Sequence, residues 1–542
     1  MPPNPQRSRP RKPAASQPRA GQPRAGQPRA GQPRAGQPGS GQSGSAQPRA
    51  GQPRSGQPRS ARPRTDPARR AAYDVLRAVD DRDAYANLLL PALLSERGLT
   101  GRDAAFATEL TYGTLRGRGT YDAILAACSD RDDLDPPVRD VLRLGAHQLL
   151  ATRVGRHAAV STSVDLAKDV CGPRPSGFVN AVLRRVATRD LDEWIKIAAP
   201  DASRDPSGYL AIRYSHPRWI VDAFRDALGP AAPAELEDAL AAGNLRPAVV
   251  LALSPAEASA DTRPEGEPTR WSPYGFRLAG GDPTALVAAG AAVQDEASQL
   301  ATLALSRVGV APAPGDPGLD PAPGLDLAPG TDPAAGQDRL WLDLCAGPGG
   351  KARLLAGLAA DRGARLIASD VHPHRARRVR DALSRAGGPA PDGSGYGVIA
   401  ADGRRVPWAP GTFDRVLADV PCSGLGSLRR RPEARWRKTP ADVTELGVLQ
   451  RQLLNTAIDS ARPGGVVAYV TCSPHLAETR DVVTDVVRDR DDVTILDAPA
   501  VLPEVPGLCA LDSRFAQFWP HRHGTDAIFL SLLARRSPPG AL

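Results

Sequence analysis

The stretch from Leu340 to Lys351, LWLDLCAGPGGK, decides the fold. It begins with a short apolar run, as the core strand of a parallel sheet does. Gly347, Gly349 and Gly350 then form a turn whose backbone can approach a ligand closely. The next residues, KARLLAGLAA, have a helical pattern. A strand, a glycine-rich turn and a helix in this order predict a ligand loop at a strand's carboxyl end, where doubly wound sheets bind cofactors.

Strands and helices alternate downstream of this glycine loop. After the first strand, the predicted strands are Ala364–Asp370, Tyr396–Asp402, Phe413–Asp419, Gly465–Thr471 and Ala527–Arg535. This alternation predicts an α/β, Rossmann-like domain over residues 291–536 with a largely parallel sheet. The carboxyl ends of parallel strands meet at one edge, so residues that follow these strands are expected to lie together.

The chain upstream is organised differently. Apolar residues at helical spacing predict an all-helical domain over residues 65–199, and residues 200–290 mix helix and strand as a small α+β module. Residues 1–64 are a repeat of Ala, Gly, Gln, Pro and Arg that cannot bury a core, so we expect disorder. We expect the same of the insertion over residues 311–338, and residues 537–542 form a short tail.

The composition indicates the cellular compartment of the protein and limits the kinds of partner it can have. Residues 1–70 contain 15 lysines and arginines but only one acid, which gives this segment a charge of +14. Since the net charge of the whole chain is +9, the remaining residues carry −5. The basic character therefore belongs to the tail. The six cysteines are far apart and no long apolar run or secretory signal is present, which predicts a reduced, cytoplasmic protein.

Acidic residues and cysteines end or follow the predicted strands. Asp370 lies 20 residues after Gly350, where an acid can accept hydrogen bonds from ribose hydroxyls. Asp402 and Asp419 end the next two strands. The predicted sheet edge therefore combines a nucleotide-like ligand with several carboxylates.

Three cysteines also belong to this edge. Cys345 lies within the glycine loop, and we assign it a packing role with its backbone against the ligand. Cys422 and Cys472 follow two successive strands, in the sequences Asp-x-Pro-Cys-Ser-Gly and Thr-Cys-Ser. A single strand-end cysteine is more often a small buried side chain than a nucleophile. Two of them on successive strand ends are a far more specific signal.

These motifs resemble those of the Sun-type RNA (cytosine-5) methyltransferases, which include enzymes that modify 16S ribosomal RNA. The matching segments run from about Asp66 to Arg535: RRAAYDVL, TELTYGTLRG, GFVNAVLRR, SHPRW, VQDEASQL, DLCAGPGGK, ADVPCSGLG, YVTCS and FWPHRHGTDAIF. The resemblance implies a methyltransferase sheet of the Rossmann-like, S-adenosylmethionine-dependent type, behind a NusB-like, RNA-binding helical domain. The chain departs from the family pattern at Gly347 and Val420, where alanine is usual.

The resemblance also implies residue roles. Cys472 would attack carbon 6 of a cytosine in RNA, foremost 16S ribosomal RNA, so that carbon 5 can be methylated. Asp419 would hydrogen-bond or protonate ring nitrogen 3, and Cys422 would assist product release. The implied cofactor is S-adenosylmethionine, held by Cys345, Ala346, Gly347, Pro348, Gly349, Gly350, Lys351, Asp370, Asp402 and Asp419. No metal and no membrane partner is expected, and we expect a monomer.

Other functions stay open at this point. A dinucleotide-dependent oxidoreductase is disfavoured because the loop lacks the GxGxxG order and hydride transfer needs no paired cysteines. A non-enzymatic RNA-binding or antitermination factor is disfavoured because Asp419, Cys422 and Cys472 are all present. These residues do not distinguish a tRNA methyltransferase from a ribosomal RNA methyltransferase. The basic run Arg429–Lys438 is given equal weight as an RNA contact and as a solvated face.

Overall fold

The computed structural model describes residues 65–536, except 130, 132, 260–265, 279–282, 289, 312–337 and 386–394. The predicted repeat tail (1–64), nearly all of the predicted insertion (311–338) and the short tail (537–542) lie outside the described residues. Within the described ranges, no helix is long and apolar enough to cross a membrane.

The amino-terminal part is helical, as predicted. Its helices are α1 (Pro67–Arg82), α2 (Ala86–Glu96), α3 (Gly101–Arg116), α4 (Arg118–Cys128), α5 (Pro136–Ala151), α6 (Arg156–Val170), α7 (Ser176–Val186) and α8 (Leu191–Ala198). Proline opens both α1 and α5, where its missing N–H costs no helical hydrogen bond. Apolar side chains from these helices share one core, with Leu110, Val141 and Leu183 fully buried.

The middle part combines helices with a small sheet. The elements are α9 (Pro206–Arg213), α10 (Arg218–Leu228), α11 (Ala232–Ala242), β1 (Val250–Ala252), α12 (Pro255–Ser259), β2 (Glu267–Pro268), β3 (Gly275–Arg277), α13 (Thr284–Ala288) and β4 (Ala292–Val293). The four strands are antiparallel in the order β2-β3-β1-β4. The apolar sides of α10 and α11 pack on Leu425, Trp519 and Ala527, so this part is joined to the sheet that follows.

The carboxyl-terminal part is the predicted α/β sheet. Its elements are α14 (Glu296–Arg307), β5 (Leu340–Asp343), α15 (Gly350–Ala360), β6 (Arg365–Asp370), α16 (Pro373–Arg385), β7 (Tyr396–Ala400), β8 (Phe413–Asp419), α17 (Ala434–Arg437), α18 (Pro440–Ser460), β9 (Ala461–Thr471), α19 (Arg480–Arg488), β10 (Val493–Leu496), β11 (Ala516–Gln517), α20 (Pro520–His523) and β12 (Phe529–Arg535).

The order of this sheet is β10-β12-β9-β8-β5-β6-β7, with β11 paired to β12. Strands β5 to β9 are parallel, and β12 is antiparallel to its neighbours β9 and β10. The chain leaves β5 for β6 on one side and returns to β8 on the other. Because strand order reverses there, a crevice opens at the carboxyl end of β5, which is the usual ligand site of such sheets.

Asp338, which the predicted insertion included, is instead a buried residue just before β5. Its carboxylate accepts hydrogen bonds from Arg415 Nε (2.6 Å) and from Trp341 Nε1 (3.1 Å). Arg415 also donates to the carbonyls of Leu305 (2.7 Å) and Val308 (2.5 Å). The ion pair therefore fixes the start of β5 to β8 and to the end of α14.

Candidate active site

The carboxyl ends of the parallel strands bring the predicted site residues to one edge of the sheet. The glycine loop follows β5, Asp370 ends β6, Asp402 follows β7, Asp419 ends β8 and Cys472 follows β9. In the register of β8 and β9, Asp419 lies opposite Val470, two residues before Cys472. The sequence-based expectation that these residues lie together is met by the geometry.

The glycine loop is shaped by Asp370 and by α16. Gly347 N–H donates to Asp370 Oδ2 (3.1 Å), and a β-carbon on Gly347 would overlap that same carboxylate. Gly349 has φ of +114° and lies against α16, where a β-carbon would come within 2.9 Å of the Ala382 side chain. Gly349 therefore needs glycine, whereas an alanine at Gly347 would require the Asp370 carboxylate to shift. The small residues let the loop cross closely over the end of β5.

Carboxylates surround Cys345 at the start of this loop. Burial raises the pKa of the Cys345 thiol well above its usual range, and Asp343, Asp419, Asp370 and Asp402 raise it further. A thiol in these surroundings stays protonated and unreactive. Asp419, Asp370 and Asp402 give the edge a negative potential that suits a ligand with positive charge and hydroxyl donors.

Asp343 and Asp402 differ sharply in their surroundings. Asp343 is fully buried, and neither carboxylate oxygen has a hydrogen bond of ordinary geometry to any residue that the structure describes. Burial raises the pKa of Asp343 to about 8, with Asp419 adding to this, although Lys351 and the nearby Cys345 amide oppose it. Asp402 is more exposed, and its hydrogen bonds from Arg404 lower its pKa to about 2.

Lys351 joins the glycine loop to the end of β8. Its Nζ donates to Asp419 Oδ2 at 2.9 Å. Burial disfavours the ammonium form, but the Asp419 carboxylate outweighs burial and the pKa of Lys351 is raised. A charged Lys351 therefore fixes one oxygen of Asp419 and leaves the other free to meet a ligand.

The two strand-end cysteines form a close pair. Cys422 Sγ and Cys472 Sγ lie 3.1 Å apart as free, partly accessible thiols. The hydrogen bond from Cys422 lowers the pKa of Cys472, and the Lys351 ammonium lowers it further, against burial and Asp419. The same hydrogen bond, with burial, raises the pKa of Cys422. Cys472 is therefore the cysteine that ionises first.

A buried carboxylate behind the cysteines was not identified from the sequence. Glu478 accepts hydrogen bonds from Ser423 N–H (2.7 Å), Ser423 Oγ and Ser473 Oγ (2.7 Å). Glu478 ends a short 3₁₀ turn before α19. The only signal in the sequence was the serine that follows each cysteine.

Several arginines of the basic run after Cys422 are bound inside the protein, whereas Arg431 of the same run is exposed. Arg429 and Arg430 both pair with Asp295 and Asp526, at 2.6–3.0 Å. Arg435 is fully buried. Neither of the two interpretations given equal weight above describes these arginines, because their charges are used inside the protein.

Comparisons with known proteins agree with this architecture. Residues 332–534 match the family model described as 16S rRNA methyltransferase RsmB/F, and residues 66–188 match the NusB family. The Mycobacterium tuberculosis protein named "Putative methyltransferase MT1451" is 50% identical over 479 residues, which cover 87% of this chain and 97% of that protein. The Salmonella paratyphi A protein named "Ribosomal RNA small subunit methyltransferase B" is 27% identical over 452 residues, 81% of this chain and 93% of its own length.

The fold also has a solved counterpart. The crystal structure of PH0851 superposes with a TM-score of 0.65 at 21% identity, covering 86% of this chain and 98% of that one. At this identity the likeness concerns the fold, which is a helical region followed by a methyltransferase sheet. Together with the near-complete coverage of a relative at 50% identity, these matches show that the chain belongs to the RsmB/F family of 16S rRNA methyltransferases and carries a NusB-family region ahead of its methyltransferase sheet.

Proposed function

We propose that this protein methylates carbon 5 of a cytosine in 16S ribosomal RNA, with S-adenosylmethionine as methyl donor and a covalent cysteine adduct as intermediate. The observation that carries the proposal is the thiol pair, with Cys422 Sγ and Cys472 Sγ 3.1 Å apart at the edge that also holds Asp419. A methyl transfer to oxygen or to an exocyclic nitrogen has no use for two thiols, whereas methylation of an unreactive ring carbon does.

The residues at the end of β5 fit S-adenosylmethionine, which when bound supplies an electrophilic methyl group. The fit rests on the buried Asp343 carboxylate, which lacks a partner of ordinary geometry among the described residues, and on the glycine loop that crosses above it. Backbone groups of Cys345–Lys351 would line the cofactor. Asp370 would accept hydrogen bonds from the ribose hydroxyls, and Asp402 would lie near the adenine.

Cys472 would begin the reaction. Carbon 5 of cytosine is a poor nucleophile, but a thiolate that bonds to carbon 6 pushes electron density onto carbon 5. The Cys422 hydrogen bond and the Lys351 ammonium both favour the Cys472 thiolate. Asp419, held by Lys351 at 2.9 Å, would stabilise or protonate ring nitrogen 3 as charge develops there.

Cys422 would serve the final step. After carbon 5 has been methylated, a base must take its proton, so that the electrons of that C–H bond re-form the ring double bond as the bond between Cys472 Sγ and carbon 6 breaks. A neutral Cys422 thiol 3.1 Å away can hydrogen-bond or return a proton to the departing sulfur. The target base would have to leave any stack to reach both thiols.

The test uses labelled S-adenosylmethionine and unmodified small-subunit RNA. Cys472→Ala is expected to abolish methylation and covalent capture of RNA, because no thiolate remains to attack carbon 6. Cys422→Ala is expected to accumulate a protein–RNA adduct that survives denaturing electrophoresis. Cys509→Ala, an exposed cysteine outside the site, should behave as wild type. An adduct that depends on Cys422 and not on Cys472 would mean that the two roles are reversed. Preferential labelling of tRNA would mean that tRNA, and not 16S ribosomal RNA, is the substrate.

A further inference from the structure

Glu478 is a fully buried carboxylate whose hydrogen bonds converge from both cysteine loops. Its Oε1 accepts from Ser423 N–H (2.7 Å) and from Gln450 Nε2 (3.3 Å). Its Oε2 accepts from the hydroxyls of Ser423 and Ser473. Among the described residues, none of these hydrogen bonds comes from a lysine or an arginine. A buried carboxylate is costly unless donors surround it, so this arrangement fixes the positions of its donors.

The two serines directly follow the two cysteines, so one side chain ties the end of β8 to the end of β9. Ser423 Oγ and Ser473 Oγ lie 3.2 Å apart between the loops. The backbone carbonyl of Glu478 in turn accepts from the Tyr469 hydroxyl (2.8 Å), which anchors the carboxylate to β9 itself. A shift of Glu478 would therefore move Cys422 and Cys472 relative to each other.

We propose that Glu478 is a positioning residue that holds Cys422 against Cys472, so that Cys422 stays a neutral donor and Cys472 alone becomes the nucleophile. This role rests on the proposed function. Two nearby charges act in the same sense. Glu478 raises the pKa of Cys422, and the Lys351 ammonium lowers the pKa of Cys472, although Asp419 and Asp526 oppose Lys351.

The first experiment needs no RNA. The rate at which iodoacetamide alkylates each cysteine would be followed against pH by mass spectrometry in the full-length protein. In Glu478→Gln the amide oxygen can still accept hydrogen bonds from the N–H donors. The amide nitrogen would face the serine hydroxyls, which can rotate to accept a hydrogen bond from it. The substitution therefore keeps the contacts but removes the negative charge. We expect Cys472 to remain the faster cysteine and Cys422 to titrate at lower pH than in wild type.

Glu478→Ala removes all four acceptor contacts. The cysteines are then expected to separate, so that Cys472 loses its hydrogen bond and titrates at higher pH, and the preference for alkylation of Cys472 at neutral pH falls by about tenfold. Glu445→Gln and Glu445→Ala, on the exposed side of α18, are matched controls that should leave both profiles unchanged. Unchanged cysteine profiles in Glu478→Gln would overturn the proposal even if Glu478→Ala does not fold.

With RNA present, the two variants should also differ. Glu478→Ala is expected to prolong the covalent adduct, as Cys422→Ala does, whereas Glu478→Gln should release product at nearly the wild-type rate. A residue with a purely structural role would lower the amount of active enzyme without changing adduct lifetime. If Cys422→Ala forms no adduct with RNA, the proposed function is wrong, while the alkylation profiles still decide whether Glu478 orders the thiols.

Discussion

A single buried acid, Asp343, illustrates the electrostatics of the sheet edge that carries the candidate site. Asp343 ends β5 beneath the glycine loop, and its carboxylate has no lysine or arginine within hydrogen-bond distance among the described residues. Such a group costs folding free energy when ionised. A bound cationic ligand would offset that cost, so this residue couples stability to cofactor binding.

Asp343→Asn should change how stability depends on pH. The pKa of Asp343 is about 8 in the folded protein and 3.8 ordinarily, so between about pH 4 and pH 8 the folded state holds more protons than the unfolded state. Stability from this residue therefore falls as pH rises through that window. The asparagine variant should lose this dependence and gain on the order of 2 kcal/mol relative to wild type between pH 5 and pH 8. Urea unfolding without cofactor, followed by tryptophan fluorescence, measures this difference at each pH. If the free energy of unfolding changed with pH in the same way for both proteins, the prediction would be contradicted.

At the scale of elements, the site depends on a short 3₁₀ turn at Leu425–Ser427. Gly426 N–H donates to the carbonyl of Cys472 (2.9 Å), and the Gly426 carbonyl accepts from Ala527 N–H (2.9 Å). The turn is thereby inserted between the end of β9 and the start of β12. Its backbone, and not its side chains, sets the distance between the two cysteine loops.

Gly426→Ala should therefore disturb both folding and chemistry. A β-carbon at this position would overlap with the Ala527 carbonyl oxygen and lie 3.0 Å from the Cys472 carbonyl carbon. Relief requires backbone movement, with a cost of about 1–3 kcal/mol. We expect a lower melting temperature and little covalent capture of RNA. Gly177→Ala, on α7 with open space around it, should match wild type in both measurements. If Gly426→Ala captured RNA as well as wild type does, the spacing of the two cysteine loops would not be critical for adduct formation.

Sequence patterns predicted those elements whose cause is local. Each parallel strand is an apolar run that ends in an acid or is closely followed by an acid or a cysteine, so the strand ends of β5, β6, β8 and β9 were found together with their residues. Long-range pairing was not visible. Arg429 lies 134 residues from Asp295, and Glu478 lies 55 residues from Ser423, so composition alone could not show that these charges are satisfied internally. Local patterns therefore identified the two strand-end cysteines but not the group that positions them.

At the scale of the whole molecule, Arg435 holds three parts of the chain together. Its guanidinium donates to the carbonyls of Arg116 in the helical part and of Ser215 and Gly243 in the middle part, and to Asn244 Oδ1, at 2.7–3.1 Å. Because Arg435 follows the Cys422 loop in the sequence, this junction joins the NusB-family region to the segment that comes directly after that loop.

Arg435→Ala should separate the helical part from the methyltransferase sheet. It leaves four buried acceptors without a donor, which should weaken the junction by at least about 3 kcal/mol. We expect two calorimetric transitions in place of one and faster tryptic cleavage at the exposed Arg204. Binding of S-adenosylmethionine should persist, because the residues at the end of β5 do not contact Arg435, whereas affinity for RNA should fall. Arg488→Ala is the control, because it removes an exposed arginine that, among the residues the structure describes, pairs only with Asp485 on its own helix. A single transition at the wild-type temperature would mean that the remaining contacts hold the parts together, and that Arg435 serves the Cys422 loop alone.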